Sequence, residues 1–223
     1  MIDGNRLSLY LGLGLALYTC LLGISFWCRG RARRALFDSV SRSSVARDVI
    51  EKLAMYRDFA IEPSDDPRAQ TGLYCPRRRV ALVTPSFIGS ARARVLALLG
   101  HEIQHGRQHR AIGRAFWLFD LPQWLQLLAL LAIAGAGIAG GTGPAWLLWT
   151  VMLVLYFGRF GFEVNANAVS LAEMRACGGS AENLREARSQ LFLGAATYGF
   201  GYLAMIVCQG LIAWTGSLFH QVL

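Results

Sequence analysis

Four apolar runs constrain this chain more than any other feature. The hydrocarbon core of a bilayer is about 30 Å thick, and about 20 helical residues are needed to cross it. Runs of that length and character lie at 7–27 (LSLYLGLGLALYTCLLGISFW), 121–140 (LPQWLQLLALLAIAGAGIAG), 145–162 (AWLLWTVMLVLYFGRFGF) and 191–214. In lipid, an α-helix satisfies every main-chain N–H and C=O inside its own segment. The expected fold class is therefore mainly α, a helical integral membrane protein with about four transmembrane helices. The first run is preceded by MIDGNR and followed by CRGRARR. A cleaved secretory signal carries its positive charge in front and a small-residue site behind, so this run reads as an uncleaved anchor.

Charge then sets the orientation. Of the 22 Lys and Arg residues, 17 lie between Cys28 and Pro122, 4 lie between Arg159 and Gln190, and the last is Arg6. Four spans put the two large groups on one side, which the positive-inside rule makes the cytoplasm. The N-terminus, the GGTGP turn at 140–144 and the C-terminus with His220 are then expected to face outward. Topology and contact with anionic lipid account for the net charge of +8. The basic residues are spread through every cytoplasmic segment with no aromatic interleaving and no binding module, so no nucleic-acid partner is expected. The five cysteines, at 20, 28, 75, 177 and 208, form no CxxC pair and read as reduced thiols.

This gives an N-terminal anchor at 1–27, a cytoplasmic segment at 28–120, a transmembrane hairpin at 121–162, a cytoplasmic helix at 163–190 and a C-terminal transmembrane helix at 191–223. SRSS at 41–44 supplies N-caps for a helix over Val45–Asp58. IEPSDDPRAQTG at 61–72 reads as a loop. RRVALV at 78–83 reads as a strand ended by Thr84 and Pro85; Arg79–Val83 could hold an extended substrate by edge pairing or could equally be plain sheet. Ala91 to about Arg114 has no proline and many Ala, Leu and Arg residues, so it reads as one helix. SLAEMRA continues the helix of the third span, CGG ends it, and SAENLREARSQ begins the last helix.

The helix at 91–114 contains HEIQHGRQH, which holds three of the four histidines of the chain. His101, Glu102 and His105 form H-E-x-x-H. Positions i and i+4 share a helix face, so two ring nitrogens can converge on one zinc ion while Glu102, beside the first ligand, takes a proton from its water. With 4 histidines and 7 glutamates in 223 residues, roughly 0.002 such matches are expected by chance.

Hydrolysis on zinc needs a third protein ligand and an open position. His109 lies about 12 Å along the axis from His101 at 1.5 Å per residue, too far to share one ion with it, and reads as a solvated or interfacial side chain. Cys75, just ahead of the motif, could touch a metal. Glu163, in E-V-N-A-N at 163–167, ends an apolar span; it is either an acid reaching for water or, given the upstream H-E-x-x-H, the third ligand. Asn167, one turn later, could accept the second ring N–H of His101 or His105, or simply lie on the surface.

LYCPRRRVALV at 73–83, LLGHEIQHGRQH at 98–109, FEVNANAV at 162–169 and GAATYGFGYLAM at 194–205 together resemble the YugP-like neutral zinc metallopeptidases of bacterial membranes, over about residues 42–206. More distantly, the order of H-E-x-x-H, hairpin and E-x-x-A-N is similar to that of the HtpX-like and CAAX-processing membrane proteases. The resemblance implies a small cytoplasmic zincin-like α(+β) catalytic domain in a multi-pass protein of the bacterial inner membrane. It implies one Zn2+ ion held by His101, His105 and Glu163, with Glu102 as general base and a peptide or membrane-protein substrate. Tyr198 is the nearest guess at an oxyanion stabiliser. The chain departs from the family pattern at Gln104, where glycine is usual, and at Cys75, where aspartate is common. It also carries Asn167 where the protease relatives have an acid. A metal-binding scaffold without turnover and a small transporter component are the alternatives, the latter resting on few intramembrane polar residues, chiefly Gln126, Thr150 and Gln209.

Overall fold

The structure, a computed structural model, describes residues 4–38, 60–66, 72–75, 77–87, 92–113, 123–140 and 142–222. Among them are five α-helices: α1 Gly4–Asp38, α2 Ala93–Ile112, α3 Gln123–Gly140, α4 Thr142–Ala176 and α5 Ala181–Val222. Three strands, β1 Ala60–Pro63, β2 Leu73–Cys75 and β3 Val80–Val83, form one small mixed sheet. The helix expected over Val45–Asp58 lies outside the described residues. The chain divides into two compact units, one of Met1–Phe26, Trp117–Phe160 and Thr197–Leu223, the other of Trp27–Phe116 and Gly161–Ala196.

The first unit is helical. Among the described residues of the whole chain, three helices are long and apolar enough to cross a membrane, through Ser8–Phe37, Gly143–Ala176 and Ala181–Gly216. The other apolar run forms α3, which is only 18 residues long because it sits between Pro122 and the Gly140–Gly141 pair. Ile133, Ala145, Met152, Tyr156 and Ala213 make the core of this unit. Small residues let its helices approach closely, as membrane helices do: a Cβ added at Gly216 would lie 3.2 Å from the Cα of Gly137. Leu13, Leu17, Leu131 and Val154 point outward and are exposed, as lipid-facing side chains would be. Inside, the Gln209 Nε2 donates to the Tyr156 hydroxyl at 3.1 Å.

The second unit is built around α2. β3 is central, pairing in parallel with β1 (Ala60 opposite Val80) and antiparallel with β2 (Tyr74 opposite Ala81). On one side of α2, Val95, Leu98 and Leu99 pack with Val83, Phe87 and Leu36. On another, Ala93, Leu96 and Ala97 pack with Met174, Ala187 and Leu191. Apolar contacts on both sides bury most of α2, and with it the side chains at its centre. The Ser170 hydroxyl donates to the Ala97 carbonyl at 2.9 Å, and Arg107 meets Glu173 at 2.6 Å, fastening α2 to α4.

Several local expectations are corrected. The first helix does not stop at Trp27. RGRARRALFD is rich in good helix formers, α1 runs on to Asp38, and Leu36 is buried in the second unit. The segment read as a loop at 61–72 begins with β1, because pairing with β3 supplies hydrogen bonds that local propensity does not reveal. LYC at 73–75 is likewise a strand. β3 is shorter than 78–83, since Arg79 takes a left-handed φ of 55° in the turn from β2 and donates its N–H to the Cys75 carbonyl at 2.8 Å. With neighbours on both sides, β3 has no edge left for a substrate; among the described residues the outer strands are β1 and β2.

The junction of α4 and α5 follows its sequence closely. Gly178, at φ 81°, sits just past the helix end. Its N–H bonds to the Arg175 carbonyl and that of Gly179 to the Met174 carbonyl, each at 3.0 Å, which is a Schellman closure. Ser180 then caps α5 by accepting the Asn183 N–H at 3.2 Å.

Candidate metal centre

His101 and His105 are one turn apart on α2, and their rings meet edge to face with Nε2 atoms 3.0 Å apart. Glu163, from α4, brings its Oε2 to 3.2 Å from the His101 Nε2 and 3.5 Å from the His105 Nε2. The three ligand atoms lie within 4.8 Å of one another, the group among the described residues that could hold a metal ion. Only 1% of Glu163 is exposed, so it is not an acid reaching for water at a helix end.

Two amide side chains settle which ring nitrogens carry protons. The Asn167 Nδ2 donates to the Leu191 main-chain carbonyl at 3.1 Å, which turns the Asn167 Oδ1 toward the His101 Nδ1, 2.8 Å away. An amide oxygen only accepts, so this Nδ1 bears the hydrogen and Nε2 offers a lone pair. Gln108 repeats the arrangement for His105. Its Nε2 donates to the Phe162 carbonyl at 3.0 Å and to the Asn165 Oδ1 at 2.9 Å, and its Oε1 accepts from the His105 Nδ1 at 2.8 Å.

Both Nε2 lone pairs therefore point at the carboxylate of Glu163. Electron-pair donors this close, in buried surroundings, repel one another unless a cation or a proton lies between them. Ligand atoms bound tetrahedrally to zinc at about 2.0–2.1 Å are about 3.3–3.4 Å apart, and the three separations here run from 3.0 to 3.5 Å. Two neutral imidazoles and one carboxylate also form a donor set typical of catalytic zinc sites with an open position. The residues fit the ion.

With no cation present, burial pulls the His101 pKa down, but the hydrogen bond and charge of Glu163, the charge of Glu102 and the bond to Asn167 outweigh it, leaving the pKa above the ordinary value. Glu102 is buried on α2 beside the first ligand. Burial raises its pKa and the Glu163 charge adds to the rise; the two imidazoles and the Tyr74 main-chain N–H, which its carboxylate accepts, oppose it without cancelling it. A carboxylate with a raised pKa is suited to general base work near neutral pH. Gly72, at the start of β2, makes room for this side chain: a Cβ there would come within 2.8 Å of the Glu102 Oε1.

Asn167 reaches His101. His109 is outside the metal group but is not simply solvated: it is half-buried, with its Nδ1 3.2 Å from the Tyr74 hydroxyl, because β2 lies over that part of α2. Cys75 pairs with Val80 in the sheet and does not belong to the metal group. Tyr198 belongs to the first unit, where its ring is tilted against Tyr202 at 6.2 Å. Sequence reasoning missed Gln108, Gly72 and Tyr74. Gln108 had a legible signal, since position i+3 from His105 shares its helix face, whereas Gly72 and Tyr74 meet Glu102 only through tertiary folding. Compared with family models, curated proteins and solved structures, the chain matches none, and its likeness to a zinc peptidase rests on the buried His101, His105 and Glu163 and on its long apolar helices.

Proposed function

We propose that this protein is a membrane-bound, zinc-dependent metallopeptidase that hydrolyses peptide bonds in proteins at the cytoplasmic membrane surface. The observation that carries the proposal is the convergence of the His101 and His105 Nε2 atoms on Glu163, with Glu102 buried beside them. His101, His105 and Glu163 would hold a zinc ion, which would lower the pKa of a bound water toward 7 and serve as a Lewis acid for the scissile carbonyl. Glu102 takes the proton of the attacking water and passes it to the leaving amine. Asn167 and Gln108 keep both ring Nδ1–H groups engaged, so the imidazoles face the ion through Nε2 throughout.

Four spans are part of the proposal. The 18 residues of α3 extend about 27 Å at 1.5 Å per residue, close to the hydrocarbon thickness of about 30 Å. The clustering of Lys and Arg in 28–122 and 159–190 supports a cytoplasmic active site. Glu163 follows an apolar run on one unbroken helix, which supports substrates presented at the bilayer surface: tails or juxtamembrane segments of membrane proteins.

The test compares the purified full-length protein with Glu102→Gln on a broad panel of fluorogenic peptides at equal zinc content. The variant is expected to keep its zinc and lose about 10²–10⁴ in kcat, the range a general base supplies. Glu163→Gln is expected to lose the zinc itself. A wild type that binds zinc yet is as inert as Glu102→Gln across the panel would make the protein a metal-binding scaffold instead.

A further inference from the structure

We infer that Gln108 is the positioning residue for His105, and that it transmits to this ligand the position of the helix that carries Glu163. The inference rests on the metal centre described above and not on peptide hydrolysis.

An imidazole on a helix can swing about two side-chain bonds and can protonate either nitrogen. An acceptor at Nδ1 removes both freedoms. For His101 that acceptor is Asn167, on α4. For His105 it is Gln108, on α2 itself and one turn further along, so Gln108 alone would move with the helix it is meant to fix. What anchors it is α4: the Gln108 Nε2 donates to the Phe162 carbonyl and to the Asn165 side chain. Phe162 immediately precedes Glu163. One peptide unit of α4 therefore anchors His105 through Gln108 and delivers the third ligand. A shift of α4 along α2 would misalign both at once.

Burial raises the stakes. Gln108 is 7% exposed and His105 4%, so removing the Gln108 oxygen leaves the His105 Nδ1–H without this acceptor in a place where water does not readily replace it. Loss of such an orienting group typically weakens metal binding 10- to 100-fold. The two ends of the Gln108 amide can be separated by substitution. Gln108→Met keeps the length of the chain and removes donor and acceptor together. Gln108→Glu keeps the acceptor for His105 and removes the donor to Phe162 and Asn165.

The experiment titrates full-length wild type, Gln108→Met and Gln108→Glu with Co2+ in detergent, following the visible spectrum, and records the thermal midpoint of each metal-free protein. Gln108→Met is expected to bind Co2+ about 10- to 100-fold more weakly. Gln108→Glu keeps the acceptor for His105 but loses the tie to α4, so it is expected to bind Co2+ more weakly than wild type and more tightly than Gln108→Met, while its midpoint falls as the Gln108→Met midpoint does. Wild-type affinity in either variant overturns the inference, and so does an equal loss of affinity in both, which is the behaviour of a merely structural tie. Should Gln108→Met fail to fold, Gln108→Glu alone decides. A wild type that takes up no Co2+ overturns the metal centre itself, an outcome distinct from failure of Gln108 alone.

Discussion

Gly72→Ala tests the proposed general base, Glu102, apart from the proposed metal site. Gly72 has a φ of 79°, and holding an alanine in that left-handed region costs roughly 1–2 kcal/mol. The new methyl would also lie 2.8 Å from the Oε1, 2.9 Å from the Cγ and 3.1 Å from the Cδ of Glu102. A flexible side chain gives way before main chain does, so the carboxylate is expected to leave its bond to the Tyr74 N–H and shift away from the position it holds beside the ligands. At roughly 2–4 °C per kcal/mol for a chain of this size, the strain lowers the thermal midpoint by about 2–8 °C. The catalytic effect is larger, approaching the 10²–10⁴ of a lost base. Co2+ affinity is expected to hold, because α4, Asn167 and Gln108 orient the ligands independently of β2. The assay pairs kcat on the best peptide of a fluorogenic panel with a Co2+ titration of the same preparation. A variant with full kcat would show that the Gly72 cradle does not hold the base, and one whose affinity collapses together with its activity would reduce the effect to general unfolding.

The two remaining expectations concern pH and topology. His101 has its pKa raised in the metal-free fold by Glu163, Glu102 and Asn167 against burial, so its protonated form stabilises that fold fully below the ordinary imidazole value of about 6.5, and the contribution is lost as pH climbs through the higher folded value. Metal must displace that proton, so the metal-loaded midpoint is expected to hold or rise over the window in which the chelated protein's midpoint falls; parallel curves in differential scanning fluorimetry would refute the coupling. Four spans expect Cys75 and Cys177 to be shielded from a membrane-impermeant maleimide in intact cells and a cysteine introduced at Gly143 to be labelled. Labelling of Cys177 in intact cells would contradict the cytoplasmic site.

The parts of this molecule that were legible in its sequence are those written in local chemistry. Helix period and apolar length announced the long helices, and glycine chemistry at 178–179 announced where α4 closes. The three residues that could hold a metal were legible because i and i+4 fix two of them on one helix face, while the third is an acid whose burial would be costly without a partner. What stayed hidden depends on pairing across the fold. β1 and β2 are three or four residues each and gain their definition from β3. The extension of α1 to Asp38 was hidden for a related reason, since a basic stretch after an apolar run reads as the exit from a membrane whether or not the helix continues. Gly72 meets Glu102 across 30 positions of sequence, and nothing in TGLYC foretells it.

The centre itself bears on the number of crossings. His101 and His105 lie before the α3–α4 hairpin in sequence and Glu163 lies after the apolar run of α4, yet their ligand atoms lie within 4.8 Å of one another. Side chains that share one ion must be on one side of a membrane, so the chain between residues 105 and 163 crosses it an even number of times. The run at 145–162 is apolar except for Thr150 and Arg159, and burying it in lipid is what its composition favours. If it crosses, α3 must cross as well, although at 18 residues it is about half a turn shorter than the roughly 20 residues of a span, a mismatch that tilting neighbours or local thinning absorbs at fractions of a kcal/mol per Å. Parity thus supports the paired crossing of α3 and α4, two of the four spans proposed above, on grounds independent of charge: the positive-inside rule counts Arg and Lys, whereas this argument needs only three ligands and one apolar helix.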